Sequence, residues 1–222
     1  MKTSDFKKIS QNTLIYGLGG VFGRLFTLIS APILTRIFSP SDYGIISLVQ
    51  ISLGLAVIFA GLNINSGVTF YYFKYEKSTM KKNLLSSGIL IISSFGILIT
   101  ILLYNYSNSI NILLNLGNQT SSQIDISDYI KIGSFGVFSG ILKTSLQTIL
   151  RIKDEPKKYI AVEILTLIST FFITIFLVIK LNLGIEGIFW GSTFGSFFGM
   201  ILSFYFCKHY LGSNFSISFL GP

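Results

Sequence analysis

Two basic residues, Arg24 and Lys143, stand inside long apolar stretches of this 222-residue chain. A charge in the middle of a membrane helix costs about 2.5–3.5 kcal/mol on insertion scales, so such residues commonly face a wet cavity or a buried partner. A guanidinium grips phosphate with two parallel hydrogen bonds, whereas an ammonium binds it as a point charge. Both residues are therefore candidate ligands for a phosphate-bearing substrate. The alternatives are a structural ion pair for Arg24 and extension of Lys143 to the membrane surface.

Other polar residues recur at helical spacing around these cations. Gln147 follows Lys143 by four residues, on a stripe that begins at Gly136, and Gln50 follows Ser47 on an earlier apolar stretch. Residues three or four apart share one helix face, so Gln147 and Gln50 are further candidates for substrate binding. Gln50 could equally bond a neighbouring helix.

Glu163 begins a third polar row, which continues through Thr166, Thr170 and Thr174. It lies on the return arm of the helical hairpin that carries Lys143 and Gln147. A carboxylate there is a candidate for proton or sodium coupling. Pairing with a neighbour such as Arg151, or hydration at the interface, is the alternative.

Residue patterns typical of catalysis are weak. Asp125 and Asp128 form the one carboxylate pair at helical spacing, and Cys207 with His209 supplies two metal ligands at most. No nucleophile elbow, phosphate-binding loop or zinc-protease motif is present in the sequence. We predict no catalytic residue, no metal site and no cofactor, and hence a protein that is not an enzyme.

The composition indicates whether this chain faces water or lipid. Half of its residues are hydrophobic, 12% are charged and the mean hydropathy is +0.68. A soluble domain carries about 25% charged residues, so this chain has too little polar surface to face water. Its net charge of +8 would suggest nucleic acid as the partner of a soluble protein. Here the cations lie between apolar runs, which indicates membrane lipids and no nucleic acid.

Six stretches are long enough to cross a bilayer, since a helix needs about 20 apolar residues to span it. Backbone groups cannot remain unpaired in lipid, so each stretch must be helical. We predict an all-α integral membrane protein, a single transmembrane domain over residues 1–222 built as a six-helix bundle. The predicted helices cover residues 14–37, 43–62, 84–104, 129–150, 160–179 and 184–206.

The loops predict the orientation of the bundle. Twelve cations fall on one side: Lys2, Lys7, Lys8, Lys74, Lys77, Lys81, Lys82, Arg151, Lys153, Lys157, Lys158 and Lys208. The positive-inside rule therefore places both termini in the cytoplasm. A separate row, Gly187, Gly191, Gly195 and Gly199 with Ser203 after it, predicts close helix packing.

Several segments carry a resemblance to a known family. PILTRIFSPSDYG (residues 32–44) is its most specific part, and TFYYFKYEKSTMKKNLLSS and LQTILRIKDEPKKYIAVEILTLIST are similar to the family's cytoplasmic loops. The chain resembles the N-terminal half of the polysaccharide biosynthesis and O-antigen flippases. These belong to the multidrug/oligosaccharidyl-lipid/polysaccharide exporter superfamily.

The resemblance implies a two-lobed exporter in the bacterial cytoplasmic (inner) membrane that works by alternating access. Its expected substrate is a polyprenyl-diphosphate-linked oligosaccharide for surface polysaccharide, including the O-antigen of lipopolysaccharide. Basic residues on the first helix of such flippases lie in the cavity, which agrees with Arg24 by position; Lys143 matches no family motif. Polysaccharide polymerase and glycosyltransferases of the same pathway are expected partners.

The sequence leaves alternatives open for the full length of the protein and for its function. Family members are roughly twice as long, so we expect a chain truncated before a second lobe, completed by that lobe or by a second copy. One rival function is multidrug or metabolite antiport within the same superfamily, which predicts an acid-centred cavity. The other is a membrane polysaccharide polymerase or glycosyltransferase, which predicts a large catalytic loop.

Overall fold

The structure, a computed structural model, describes residues 17, 21–115 and 125–212, and within these residues the regular elements are all helical. The α-helices are α1 (Val21–Leu34), α2 (Pro40–Gly61), α3 (Ile64–Lys74), α4 (Ser78–Asn105), α5 (Ser107–Asn115), α6 (Ser127–Ile152), α7 (Pro156–Ile175) and α8 (Gly184–Cys207). A π-helix, Phe176–Lys180, extends α7, and a short 3₁₀ helix, Lys208–Tyr210, follows α8.

Within residues 21–115 and 125–212, four helical segments are long and apolar enough to cross a membrane: Pro40–Lys74, Ser78–Asn105, Pro156–Lys180 and Gly184–Tyr210. This makes the chain a multi-pass membrane protein. The prediction of six such helices is not confirmed. The first, over residues 14–37, is described only at residue 17 and from residue 21 onward, and Val21–Leu34 alone is too short to span.

The fourth predicted helix exists as α6, but it is too polar to count as a span by composition. It carries Asp128, Lys131, Lys143 and Arg151. The reason is its position, because α6 packs against α2, α4, α7 and α8. A helix surrounded by protein can carry polar side chains that a lipid-facing helix cannot.

A turn separates α2 from α3. The second predicted helix ends at residue 62, and the structure turns at Leu62 and Asn63, both left-handed with φ of 38° and 53°. The chain then resumes as α3, a helix that the sequence did not predict. Together α2 and α3 cover 35 residues. At about 1.5 Å per residue this exceeds a hydrocarbon core of about 30 Å, so one end of the pair extends beyond it.

Residues 32–44, the most specific part of the sequence resemblance, contain the motif that starts α2. Ser39 Oγ accepts a hydrogen bond from the Asp42 amide at 3.3 Å, and Asp42 Oδ2 accepts one from the Ser39 amide at 2.8 Å. Pro40 occupies the first turn of α2, where its missing N–H is not needed. The residues SPSD therefore form a capping box that starts α2.

Helices α7 and α8 pack through two rows of small residues, as the glycine spacing predicts. Gly191 lies against Thr174, Gly195 against Thr170 and Gly199 against Thr166. A Cβ built on Gly195 would lie 2.9 Å from Thr170 Cα, so no side chain fits there. We call these three pairs the glycine–threonine seam. It holds the two backbones close, which is how helices associate where lipid offers no hydrophobic drive.

Candidate functional site

Three polar side chains meet between α6 and α7, and we call them the ion-pair cluster: Lys143, Gln147 and Glu163. Gln147 Nε2 donates to Glu163 Oε2 at 2.8 Å. Lys143 Nζ lies 3.4 Å from the same oxygen. One carboxylate oxygen therefore receives an amide and an ammonium from the neighbouring helix.

The local sequence explains why these residues meet. Lys143 and Gln147 are four apart on α6, so their side chains lie one above the other on one face. Residues 153–155 form a tight turn, with Asp154 left-handed at φ 56°, and Pro156 begins α7. Glu163 thus returns alongside α6, about 10 Å along α7 from its start. Glu163 pairs with Lys143 in this geometry.

The two contacts of the Glu163 carboxylate differ in strength. A charge-assisted N–H···O bond is usually about 2.7–2.9 Å long, so the Gln147 contact is close and the Lys143 contact is loose. The exposed fractions of the side chains are 17% for Lys143 and 26% for Glu163, while Gln147 is 5% exposed. Gln147 therefore holds the carboxylate, and the ammonium can turn to another acceptor without releasing it.

Helix α8 completes the surroundings of the cluster, and the sequence analysis assigned it only a packing role. A Cβ on Gly199 would lie 2.9 Å from Lys143 Cδ, so Gly199 leaves the space through which the lysine stem passes. Ser203, one turn further along α8, is fully buried, and its Oγ has no hydrogen-bond partner among the described residues. The signal for both residues was present in the glycine row that ends at Ser203.

Arg24 and Gln50 do not join the ion-pair cluster by hydrogen bonds within residues 21–115 and 125–212. Both are exposed, Arg24 on α1 and Gln50 on α2. Helix α1 packs on α7, with Phe26 edge-to-face on Phe171 at 5.7 Å between ring centroids. Gly23 lies beside Leu167, one turn from Glu163 along α7. Helix α1 therefore contacts α7 at Leu167 and Phe171, which lie one and two turns from Glu163.

Asp125 and Asp128, the carboxylate pair considered for metal chemistry, serve the start of α6. Asp125 Oδ1 accepts hydrogen bonds from the Ser127 amide at 2.9 Å and the Ser127 hydroxyl at 2.6 Å. These bonds hold the pKa of Asp125 below its ordinary value. Asp128 pairs with Lys131 at 2.8 Å. Each of the two carboxylates thus has a local structural partner.

Solved structures show which class of fold this is. An outward-facing multidrug resistance MATE family transporter of the MOP superfamily has a TM-score of 0.75 and 15% sequence identity, and the match covers 97% of this chain and 48% of that one. A MOP superfamily transporter from Pyrococcus furiosus, reported with a binding pocket of reversed polarity, has a TM-score of 0.72 at 13% identity and covers 97% and 48%. A MATE transporter in complex with MaD3S has a TM-score of 0.74 at 13% identity and covers 97% and 49%.

At these identities the likeness shows the fold alone. The chain spans about half the length of the transporters it matches. Residues 9–221 match the polysaccharide biosynthesis protein family, and the chain belongs to that family. None of the curated proteins matches its sequence. The resemblance found in the sequence is confirmed at the level of the family.

Proposed function

We propose that this chain forms a six-helix lobe of a flippase that moves polyprenyl-diphosphate-linked oligosaccharide across the bacterial cytoplasmic membrane, with both termini in the cytoplasm. The observation that supports this most is the loosely held Lys143 ammonium inside the membrane layer of a polysaccharide-family chain. Membership of that family and a transporter fold favour a carrier over an enzyme. The polysaccharide delivered to the surface is of the O-antigen type.

Lys143 attracts the diphosphate into the bundle. A diphosphate offers several charged oxygens, which compete with a single carboxylate oxygen at 3.4 Å. Because Gln147 keeps Glu163 in place, the ammonium exchanges one acceptor for another at small cost. Arg24 on α1, which packs against α7, adds a two-pronged contact to a second phosphate oxygen. Gln50 on α2 and the remaining amide proton of Gln147 contact sugar hydroxyls.

Glu163 couples this exchange to an ion. When Lys143 turns to the substrate, the carboxylate loses its cationic partner while it stays partly buried. A carboxylate in that situation gains affinity for a proton or a sodium ion. The two lobes rock against each other during this cycle, and the second lobe is a C-terminal half or a second copy.

The test is genetic and biochemical, in the native host with this gene deleted. Polyprenyl-diphosphate oligosaccharide on the cytoplasmic face and polysaccharide at the surface are measured together. We expect accumulation inside with loss outside, reversed by the intact gene. Unchanged pools would contradict the flippase, and loss of both pools would place the protein before transport, at synthesis. Arg24→Ala should abolish complementation while Arg24→Lys retains part of it.

A second candidate function is multidrug export, which the likeness to multidrug transporters favours. It requires a cavity that attracts cationic drugs. The cations at the depth of the proposed cavity, Arg24 and Lys143, oppose that electrostatically, and Glu163 is already paired. Increased sensitivity of the deletion strain to cationic compounds, with normal surface polysaccharide, would select this function instead.

A further inference from the structure

A second polar assembly lies at the basic end of the bundle, away from the ion-pair cluster. Tyr72 of α3 is buried there, and two ammonium groups, Lys81 of α4 and Lys153 after α6, each lie 5.1 Å from the centroid of its ring. Lys153 Nζ also donates to Tyr72 Oη at 2.8 Å. One tyrosine thus brings together two cations from elements that are distant in sequence.

Tyr210, after α8, extends the assembly. Its ring centroid lies 5.2 Å from Lys153 Nζ and 5.8 Å from Lys158 Nζ. Its hydroxyl donates to Glu155 Oε1 at 2.8 Å, and Lys158 donates to the same oxygen at 3.0 Å. We call these residues the tyrosine–lysine cluster: Tyr72, Lys81, Lys153, Glu155, Lys158 and Tyr210.

The charges of the tyrosine–lysine cluster do not balance. Its one carboxylate, Glu155, is bound to Lys158 and Tyr210. In the part of the chain that the structure describes, neither Lys81 nor Lys153 forms an ion pair. Lys81 lies near the ring of Tyr72 and Lys153 lies at its hydroxyl, and two like charges beside one tyrosine repel each other. An anion that reaches both ammonium groups removes that repulsion.

The location of the cluster indicates which anion this is. Phe70 and Phe73 of α3 are exposed beside Tyr72, and the apolar helices α4 and α7 begin at this end. The ammonium groups therefore lie at the level where the hydrocarbon of a bilayer meets its headgroups. At that level the available phosphates are those of lipids, whose chains would lie along the exposed phenylalanines.

We propose that the tyrosine–lysine cluster binds the phosphate of an anionic phospholipid headgroup, with Lys81 and Lys153 as its ligands. The bound lipid fastens α3 and α4 to the α6–α7 turn and the end of α8. Basic residues near the membrane surface attract anionic headgroups, and two ligands held by buried or packed tyrosines bind one headgroup in a fixed place. This inference does not depend on what the protein transports.

The experiment uses the protein as the cell makes it, reconstituted in nanodiscs of phosphatidylcholine with or without phosphatidylglycerol. Thermal melting is measured for the wild type, for Lys81→Gln/Lys153→Gln, and for Lys180→Gln as the control at the opposite end of the bundle. We expect phosphatidylglycerol to raise the melting temperature of the wild type and the control by several degrees. We expect the double variant to lose most of that increment.

If phosphatidylglycerol raises the melting temperature of the double variant as much as that of the wild type, the proposal is overturned. This holds even if the double variant melts at a lower temperature than the wild type in both lipids, because such a result indicates only a structural role for the two lysines. Inorganic phosphate added to phosphatidylcholine nanodiscs distinguishes the source of the anion. Equal stabilisation by phosphate would show a soluble anion site and would also overturn the proposal. If the double variant does not fold, Lys81→Gln alone gives the same comparison, since the Lys81 ammonium contacts only a ring among the described residues.

Discussion

One face of α7 serves two different purposes along its length. Thr166, Thr170 and Thr174 pack into the glycine row of α8, while Glu163, the next residue in the same row, meets Lys143 and Gln147 of α6. The spacing is three residues from Glu163 to Thr166 and four between the threonines, so all four side chains lie near one helix face. The glycine–threonine seam fixes the distance between two backbones, and the ion-pair cluster holds a charge that can be exchanged.

The difference follows from how each side chain satisfies its polar atoms. Thr166 Oγ1 donates to the Val162 carbonyl of its own helix at 2.7 Å and needs nothing from α8. A carboxylate cannot donate to its own helix, so Glu163 takes its donors from α6. Along this row, the threonine that bonds to its own helix serves packing, and the carboxylate that needs donors from α6 forms the ion pair.

Filling the seam should have the largest effect. Gly195→Val places a branched side chain where a Cβ would already lie 2.9 Å from Thr170 Cα, so α7 and α8 must separate. Overpacking of this kind costs about 1–3 kcal/mol or more. We expect a large loss of folded protein and of melting temperature.

Gly54→Val is the matched control, because Gly54 lies in a membrane helix with open space around it. It should express and melt like the wild type. Similar behaviour of the two valine variants would show that the seam does not hold α7 against α8.

Removing one member of the ion-pair cluster should have the next largest effect. Lys143→Ala leaves the Glu163 carboxylate with Gln147 alone, which costs about 1–3 kcal/mol for a partly buried group. We expect a lower melting temperature and loss of complementation of the deletion strain.

Lys143→Met/Glu163→Gln removes both charges at similar volume and separates stability from function. It should melt near the wild type and still fail to complement. Complementation by this double variant would show that the ion pair is structural.

Glu163→Gln alone should act on coupling more than on folding. The amide keeps the shape of the carboxylate but cannot take up a proton or sodium ion. We expect transport in membrane vesicles to lose its dependence on an imposed proton or sodium gradient. A variant that responds to the gradient as the wild type does would exclude Glu163 as the coupling group.

The smallest effect concerns Glu155, in the turn that joins the cluster-bearing helices. Hydrogen bonds from Lys158 and Tyr210 hold the pKa of Glu155 below its ordinary value. A carboxyl with a lowered pKa stabilises the fold above its unfolded-state pKa and loses this contribution as the pH falls through its folded-state pKa. The melting-temperature difference between the wild type and Glu155→Gln should therefore shrink from pH 7 to below pH 4. A difference that does not change with pH would contradict this.

The sequence predicted the fold class and the family because both depend on hydropathy and local motifs. It ended the second helix at residue 62, next to the turn at Leu62 and Asn63, but it did not predict that the chain resumes at once as α3. Its count of six spans is not confirmed, because α6 is shielded by other helices and follows a different compositional rule, and the first predicted helix lies partly outside the described residues. The start of α2, in contrast, depends on a local motif, because the residues SPSD form its capping box.

Less of the candidate site than of the fold could be predicted from the sequence. The hairpin placed Glu163 on the arm opposite Lys143, but hydropathy does not report how α6 and α7 are rotated about their axes. Whether Glu163 faces Arg151 or Lys143 therefore required coordinates. The roles of Arg24, Gln50, Lys143, Gln147 and Glu163 in binding and coupling stay predictions.

The most direct measurement is translocation of a labelled polyprenyl-diphosphate oligosaccharide in proteoliposomes that contain the protein as the cell makes it. The wild type and Lys180→Gln should move the lipid between leaflets. Lys143→Gln should lose most of the rate, and Lys143→Arg should keep part of it. Movement by Lys143→Gln at the wild-type rate, or no movement by the wild type, would contradict the account.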